Sequence, residues 1–234
     1  MSWSKNIVGF VPLSMVDWED HMCCVLFLRG CPFRCEYCHN APLVEGNVET
    51  LEWDDVLKAL RENHEFVDRI TVSGGEPLMY PDILTLLRTL NDEGFRVKVD
   101  TNGYYPEMLE KVCSSGLVEY VALDVKAPLD RTYDNLVGVR DSFKQVAKSI
   151  SVLSNSKLEY LFRTTVSKTL GICETRVILG DLVKYVGHSD FRWKLQRYQK
   201  TDSCLFDKGR LGEYSPEEFE FILDTFKNHI INER

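Results

Sequence analysis

The chain of 234 residues has no apolar run approaching the roughly 20 residues that a membrane-spanning helix needs. Its opening, MSWSKNIVGF, lacks the charged-then-apolar leader and small-residue cleavage site of a secreted protein. A cytoplasmic protein with no membrane partner is therefore expected. Basic residues are in deficit, with 28 Lys and Arg against 36 Asp and Glu, a net charge of −8. A nucleic-acid binder normally carries a basic patch or stripe, so no nucleic-acid partner is expected either. Also missing are a linker, a low-complexity tract and a block of like charge, any of which would mark a boundary. One domain over residues 1–234 is expected, with its core at about 20–200.

What the chain does have is alternation between short apolar, β-branched runs and amphipathic stretches. CVLFL (24–28), RITVSG (69–74), RVKVD (96–100), VEYVALDV (118–125), LEYLFRTTV (158–166) and FRWKLQ (191–196) predict strands buried on both faces. Helices are predicted between them at about 51–63, 81–93, 105–115, 141–154 and 173–187. In the second of these, Ile83, Leu86, Leu87 and Leu90 repeat at the helical period, and Gly94 supplies a C-terminal stop. A last helix begins at Ser215, which can act as N-cap, with Pro216 in the first turn and Glu218 completing a capping box. Strands and helices in this order imply a parallel sheet with right-handed crossovers. The fold class is α/β, an open partial barrel of six βα units, with an N-terminal extension and a C-terminal helix. Six units fall short of the eight in a closed barrel.

Eight cysteines are present, but they are not spread as a disulfide framework. Three fall in one short stretch, RGCPFRCEYCHN, as Cys31-x3-Cys35-x2-Cys38. In a reducing compartment such spacing points to metal binding or catalysis. Cys-rich runs ligate iron–sulfur clusters, because soft thiolate matches iron and sulfide. Three thiolates would leave one position of a cubane open for another ligand, as an open zinc position does in catalysis. A structural zinc on Cys31, Cys35 and Cys38, completed by His39 or a distant cysteine, is the other reading. Cys23 and Cys24 lie at the start of an apolar strand and read as core. Cys113, Cys173 and Cys204 form no second cluster.

Four polar motifs fall at the ends of successive strands. SGGEP, Ser73 to Pro77, carries Gly74 and Gly75, which allow close backbone approach and positive φ, and Glu76, which can accept a hydrogen bond from an ammonium group. It also reads as a tight strand–helix turn. DTNG contributes Asp100 and Asn102, residue types that serve equally in turns. LDVK places Asp124 and Lys126 two apart, hence on one face of a strand, where they could grip the ribose and carboxylate of one ligand or form an ion pair. Arg163 in FRTTV reads as a buried structural arginine or a substrate clamp. At the carboxyl ends of barrel strands, such residues read together as a site.

With Tyr37 just before its last cysteine, the C-x3-C-x2-C stretch resembles the signature of radical S-adenosylmethionine (SAM) enzymes. The resemblance implies a [4Fe–4S] cluster on Cys31, Cys35 and Cys38, with SAM as ligand to the fourth iron. It places Tyr37 beside the adenine and the Gly74–Glu76 segment at the methionine amino group. The likeness extends over nearly the whole chain and is nearest to the activating enzymes of glycyl radical proteins. CEYCHN, DTNG and D-x-K are similar to pyruvate formate-lyase activase. VGFVPLSMVDW, FLRGC, VKVDTNG, VALDVKAP and FRTTV resemble the longer form of anaerobic ribonucleotide reductase activating proteins.

Two departures set the chain apart from the pyruvate formate-lyase group. Asp17 is followed by WEDHM where that group is glycine-rich, and Gln196 is the nearest polar residue where it has a histidine. Asp100 and Asp124 also resemble ligands of a monovalent cation in that group. The implied activity is reductive cleavage of SAM followed by hydrogen abstraction from a glycine of a partner enzyme. An anaerobic ribonucleotide reductase is the expected partner, with a radical SAM enzyme for a small molecule or peptide as the alternative. Iron–sulfur centres of plant-ferredoxin type sit near about −400 mV. Lacking a second cysteine cluster, the chain is expected to need flavodoxin or ferredoxin as electron donor.

Overall fold

A computed structural model describes residues 2–46, 48–204, 206 and 208–231. Its seven strands are β1 (Ile7–Ser14), β2 (Cys23–Leu28), β3 (Arg69–Gly74), β4 (Arg96–Thr101), β5 (Tyr120–Asp124), β6 (Glu159–Val166) and β7 (Trp193–Arg197). They form one sheet in sequence order, parallel from β2 through β7. Six of them are the strands the sequence predicts. The seventh, β1, lies in the N-terminal extension and pairs antiparallel with β2 at the sheet edge. Its central residues Val11, Pro12 and Leu13 are exposed, which hides the alternation that would mark a strand.

The helices are α1 (Ala41–Glu45), α2 (Trp53–Asn63), α3 (Ile83–Asp92), α4 (Pro106–Ser114), α5 (Arg131–Val137), α6 (Ser142–Ser154), α7 (Ile172–Val186) and α8 (Pro216–Phe226). Helices α1 and α5, of five and seven residues, were not predicted and are too short to show a period. Gly94 ends the α3 unit at φ +91°, where a side chain would be strained. The box at Ser215 forms as expected, with its hydroxyl on the Glu218 amide and the Glu218 carboxylate on the Ser215 amide. Among the described residues no helix is long and apolar enough to cross a membrane.

Alternation along the strands separates two interiors. Cys24, Leu26 and Leu28 of β2, Ile70 and Val72 of β3, Val97 and Val99 of β4, and Val121 and Leu123 of β5 point outward into one large core beneath the helices. The opposite set points into the curl of the sheet. There Cys23, Val25, Tyr120, Ala122 and Leu161 form a second, small apolar cluster capped by Trp18. Cys23 and Cys24 are thus core residues on opposite faces. The β1–β2 connection folds under this lumen as a floor: the Asp17 carbonyl accepts from Thr71 Oγ1 (3.2 Å) and from Lys98 Nζ. Above the floor the inner face is polar, and the site lies there.

Candidate active site

At the carboxyl ends of the strands lies a cavity of about 500 Å³, within the range of ligand pockets. Cys31, Cys35, Tyr37 and Cys38 line one wall, Gly74, Gly75 and Asn102 another, and Asp100, Asp124, Lys126, Arg163 and Gln196 the inner side. Every residue singled out in the sequence is brought here, save one. Glu76 is fully buried behind the wall. Its carboxylate accepts from Thr101 Oγ1 (2.8 Å), Asn102 N (2.6 Å) and Leu78 N (3.0 Å), so it ties the β3 end to the β4 end. Burial, set against these three bonds, still pushes its pKa up to about 7. Glu76 thus braces the ends of the two strands against each other.

The paired glycines, besides lining the cavity, sit where two segments of backbone pass closely. A Cβ on Gly74 would lie 2.3 Å from the Leu28 carbonyl oxygen, and one on Gly75 would lie 1.9 Å from that of Gly30. What they admit is the backbone leading into Cys31. Gly75 N donates to Leu28 O (2.9 Å) and Glu76 N to Gly30 O (2.8 Å), which fixes the cysteine loop against the β3 end.

Within that loop, Asn102 Nδ2 donates to Cys31 Sγ (3.3 Å) and the Phe33 amide reaches the same sulfur (3.4 Å). Burial pushes all three thiols up: Cys35 to about 12, with Cys31 and Cys38 raised as well. Lys126 is the main charge opposing this at Cys35 and Cys38. The donor set fits a cluster better than a single ion. Three soft thiols on one wall, with no fourth cysteine in the cavity lining among the described residues, suit a cubane whose remaining position takes another ligand.

The inner side is a chain of alternating charge. Lys126 Nζ donates to Asp124 Oδ2 (3.1 Å) and stands 5.7 Å from the centre of the Tyr37 ring. Arg163 Nε donates to Asp124 Oδ1 (2.8 Å) and its Nη1 to Asp100 Oδ2 (3.1 Å). Lys98, fully buried, reaches Asp100 Oδ1 (3.3 Å) and Glu19 Oε2 (3.5 Å). Burial works to raise the Asp124 carboxyl, but Arg163 and Lys126 outweigh it and hold it at about 2. The guanidinium of Arg163 thus bridges Asp100 and Asp124, the two carboxylates that the resemblance links to a monovalent cation.

Four participants escaped the sequence reading. Lys98 alternates with Asp100 in RVKVD, and that period-2 signal could have found it. Phe27 and Thr165 line the cavity as ordinary strand residues. Glu36, between two of the cysteines, is buried and accepts a forked ion pair from Arg210 (Nε to Oε2, 2.7 Å), with Lys208 at 3.5 Å. Nothing local in the sequence marks a partner 174 residues away.

An open parallel barrel with three clustered thiols beside a cavity for a nucleoside-sized ligand defines a class of metallo-cluster enzyme. The chain belongs to the radical SAM superfamily, whose family model matches residues 25–182. It is 33% identical over 232 residues to a protein of Methanocaldococcus jannaschii described as a glycyl-radical enzyme activating enzyme, covering 97% of this chain and 93% of the relative. An enzyme of this kind is what that match indicates. A second relative, the AdoMet-dependent heme synthase of Methanosarcina barkeri, is 29% identical over 91% of this chain and 57% of its own length. Among solved structures, Streptococcus suis SuiB bound to S-adenosylmethionine shares the fold, with a TM-score of 0.63 at 18% identity, over 88% of this chain and 48% of that one. The family implies a [4Fe–4S] cluster and SAM, and the thiol set and cavity described above fit both.

Proposed function

We propose that this chain holds the cluster on Cys31, Cys35 and Cys38 and activates an anaerobic ribonucleoside-triphosphate reductase by installing a radical on one of its glycines. The observation that carries the reading is the meeting, in one cavity, of three thiols with the Lys126–Asp124–Arg163 chain. Bound there, the reduced cluster and SAM supply homolysis of the sulfonium C5′–S bond and a carbon radical able to take a glycine Cα hydrogen. The chain's own residues do the rest. Lys126 is placed to neutralise the methionine carboxylate, with its orientation set by Asp124. Asp124, ionised at all ordinary pH, can also accept from ribose hydroxyls. Tyr37 presents a buried ring to the adenine. Gln196, Thr165 and Phe27 border the cavity from β7, β6 and β2, and there the partner's loop would enter.

The test is electron paramagnetic resonance on anaerobically reconstituted, reduced protein, with and without SAM and then with the reductase. A cluster signal shifted by SAM and a glycyl doublet on the reductase are expected. Alanine at Cys31, Cys35 or Cys38 should abolish SAM cleavage, whereas Cys113→Ala should retain it. Cleavage persisting without the three cysteines would overturn the cluster assignment. The heme synthase match favours a second reading, a small-molecule substrate. A SAM-shifted signal with no doublet, and turnover without a protein partner, would select it.

A further inference from the structure

The floor of the lumen holds a buried pair of charges that the proposed chemistry leaves unused. Lys98 faces inward from β4, two residues before Asp100, and is fully buried. A lysine is almost never placed so deep unless it is paired. Its Nζ donates to the Asp17 carbonyl and to Glu19 Oε2 (3.5 Å), and it stands 3.3 Å from Asp100 Oδ1. The centre of the Tyr120 ring is 5.6 Å away. The Glu19 side chain is only 5% exposed, and its Oε1 lies 3.9 Å from Nζ of Lys194 on β7. Glu19 belongs to WEDHM, the segment in which the sequence departs from the pyruvate formate-lyase group. That departure puts an acid in the lumen, between lysines of two strands.

Lys98 does not line the cavity, whereas its neighbours Asp17 and Asp100 do. The Asp100 carboxylate is divided between the two levels. Its Oδ2 accepts from Arg163 Nη1 (3.1 Å) and Ser73 Oγ (3.3 Å) at the cavity. Its Oδ1 accepts no hydrogen bond among the described residues, and the ammonium of Lys98 is the charge that balances it. The two oxygens share one rigid plane, so holding Oδ1 also sets the direction in which Oδ2 meets Arg163. Arg163 then donates through Nε to Asp124 Oδ1 (2.8 Å), which leaves Asp124 Oδ2 to Lys126 (3.1 Å). A continuous line of paired charges therefore runs from the floor to the cavity.

We propose that Lys98 is a positioning residue for SAM binding. Anchored to the floor by Asp17 and Glu19, it sets the Asp100 carboxylate and, through it, the Arg163–Asp124–Lys126 chain that meets the ligand. The inference rests on the function proposed above, which puts SAM against Asp124 and Lys126. Lys98 thus acts on SAM affinity without touching SAM. A lysine that merely neutralised Glu19 would act on stability alone.

The test measures SAM affinity by calorimetry on the reconstituted protein, together with the SAM-induced shift of the cluster's electron paramagnetic resonance signal. Lys98→Met should weaken SAM binding about tenfold, the size of a coupling between contacting groups, and should lower the melting temperature. Combining it with Glu19→Gln removes both charges of the floor pair. Stability should then largely return, while SAM binding stays weak and its spectral shift stays altered. Asp100→Asn should weaken binding by itself, and adding Lys98→Met should bring no further loss. Unchanged SAM affinity in the Lys98→Met proteins would overturn the proposal. So would affinity that returns with stability in the Glu19→Gln combination, or losses that add at Lys98 and Asp100. If Lys98→Met alone does not fold, the combination with Glu19→Gln carries the same test. Failure of SAM to shift the cluster signal of the unaltered protein would instead overturn the underlying function, a distinguishable result.

Discussion

The same strands present two faces, and the two could hardly differ more. Outward, Val97 and Val99 of β4 and Val121 and Leu123 of β5 are wholly buried in an apolar core with α3, α4 and α6. Inward, one residue along, Lys98, Asp100 and Asp124 stand in a line of opposite charges completed by Arg163. Burying a charge is costly unless it is paired and hydrogen-bonded. The inner face meets that condition with almost no surplus, since nearly every carboxylate oxygen there already has a cation. The outer face stabilises the fold. The inner face is held in place by it and is arranged for a ligand.

The comparison breaks most sharply at Arg163. Arg163→Met leaves Asp100 and Asp124 facing one another without their bridge. Removing one partner of a buried pair typically costs about 3–5 kcal/mol. Chemical denaturation should show a loss of that order, and calorimetry should show SAM affinity falling at least about tenfold. An outer-face change of similar size, Leu87→Ala on α3, should cost about 2–5 kcal/mol through the cavity it leaves. Here SAM affinity, measured on the folded fraction, should stay the same. A parallel loss of affinity in both variants would mean the two faces are not separable.

The smallest effect lies in acid. Asp124 has its folded pKa depressed to about 2, below its ordinary value. Its contribution is therefore complete above about pH 4 and is lost as pH falls toward 2. Asp124→Asn should flatten that part of the stability-against-pH curve, and an unchanged acid limb would show that the pairing with Arg163 and Lys126 contributes nothing to stability.

How much of this was legible follows from range along the chain. Six strands, the α3 period and the Ser215 cap rest on neighbours within a few residues, and the sequence shows them directly. The edge strand β1 was not legible, because its middle is exposed and its antiparallel partner is set by tertiary pairing. The cysteine loop was readable as a candidate metal ligand set from its spacing, and the fold carries its three thiols to the cavity wall. The bracing by Glu76, Gly74 and Gly75 was not. Their types suit a ligand contact, and only the packing of the β3 end on Leu28, Gly30 and Asn102 shows that they also brace the loop.

By itself, then, the sequence determined the parallel α/β architecture, the three thiols and the strand ends on which the polar motifs sit. Alternation, capping and ligand spacing are local properties, and they survive in one dimension. The tertiary structure alone decided which charges meet. Arg163 lies 63 residues from Asp100, and Arg210 lies 174 from Glu36. Such pairs exist because the curl of the sheet and the return of the chain after β7 bring them within a few ångströms, at a depth where an unpaired charge would not be tolerated.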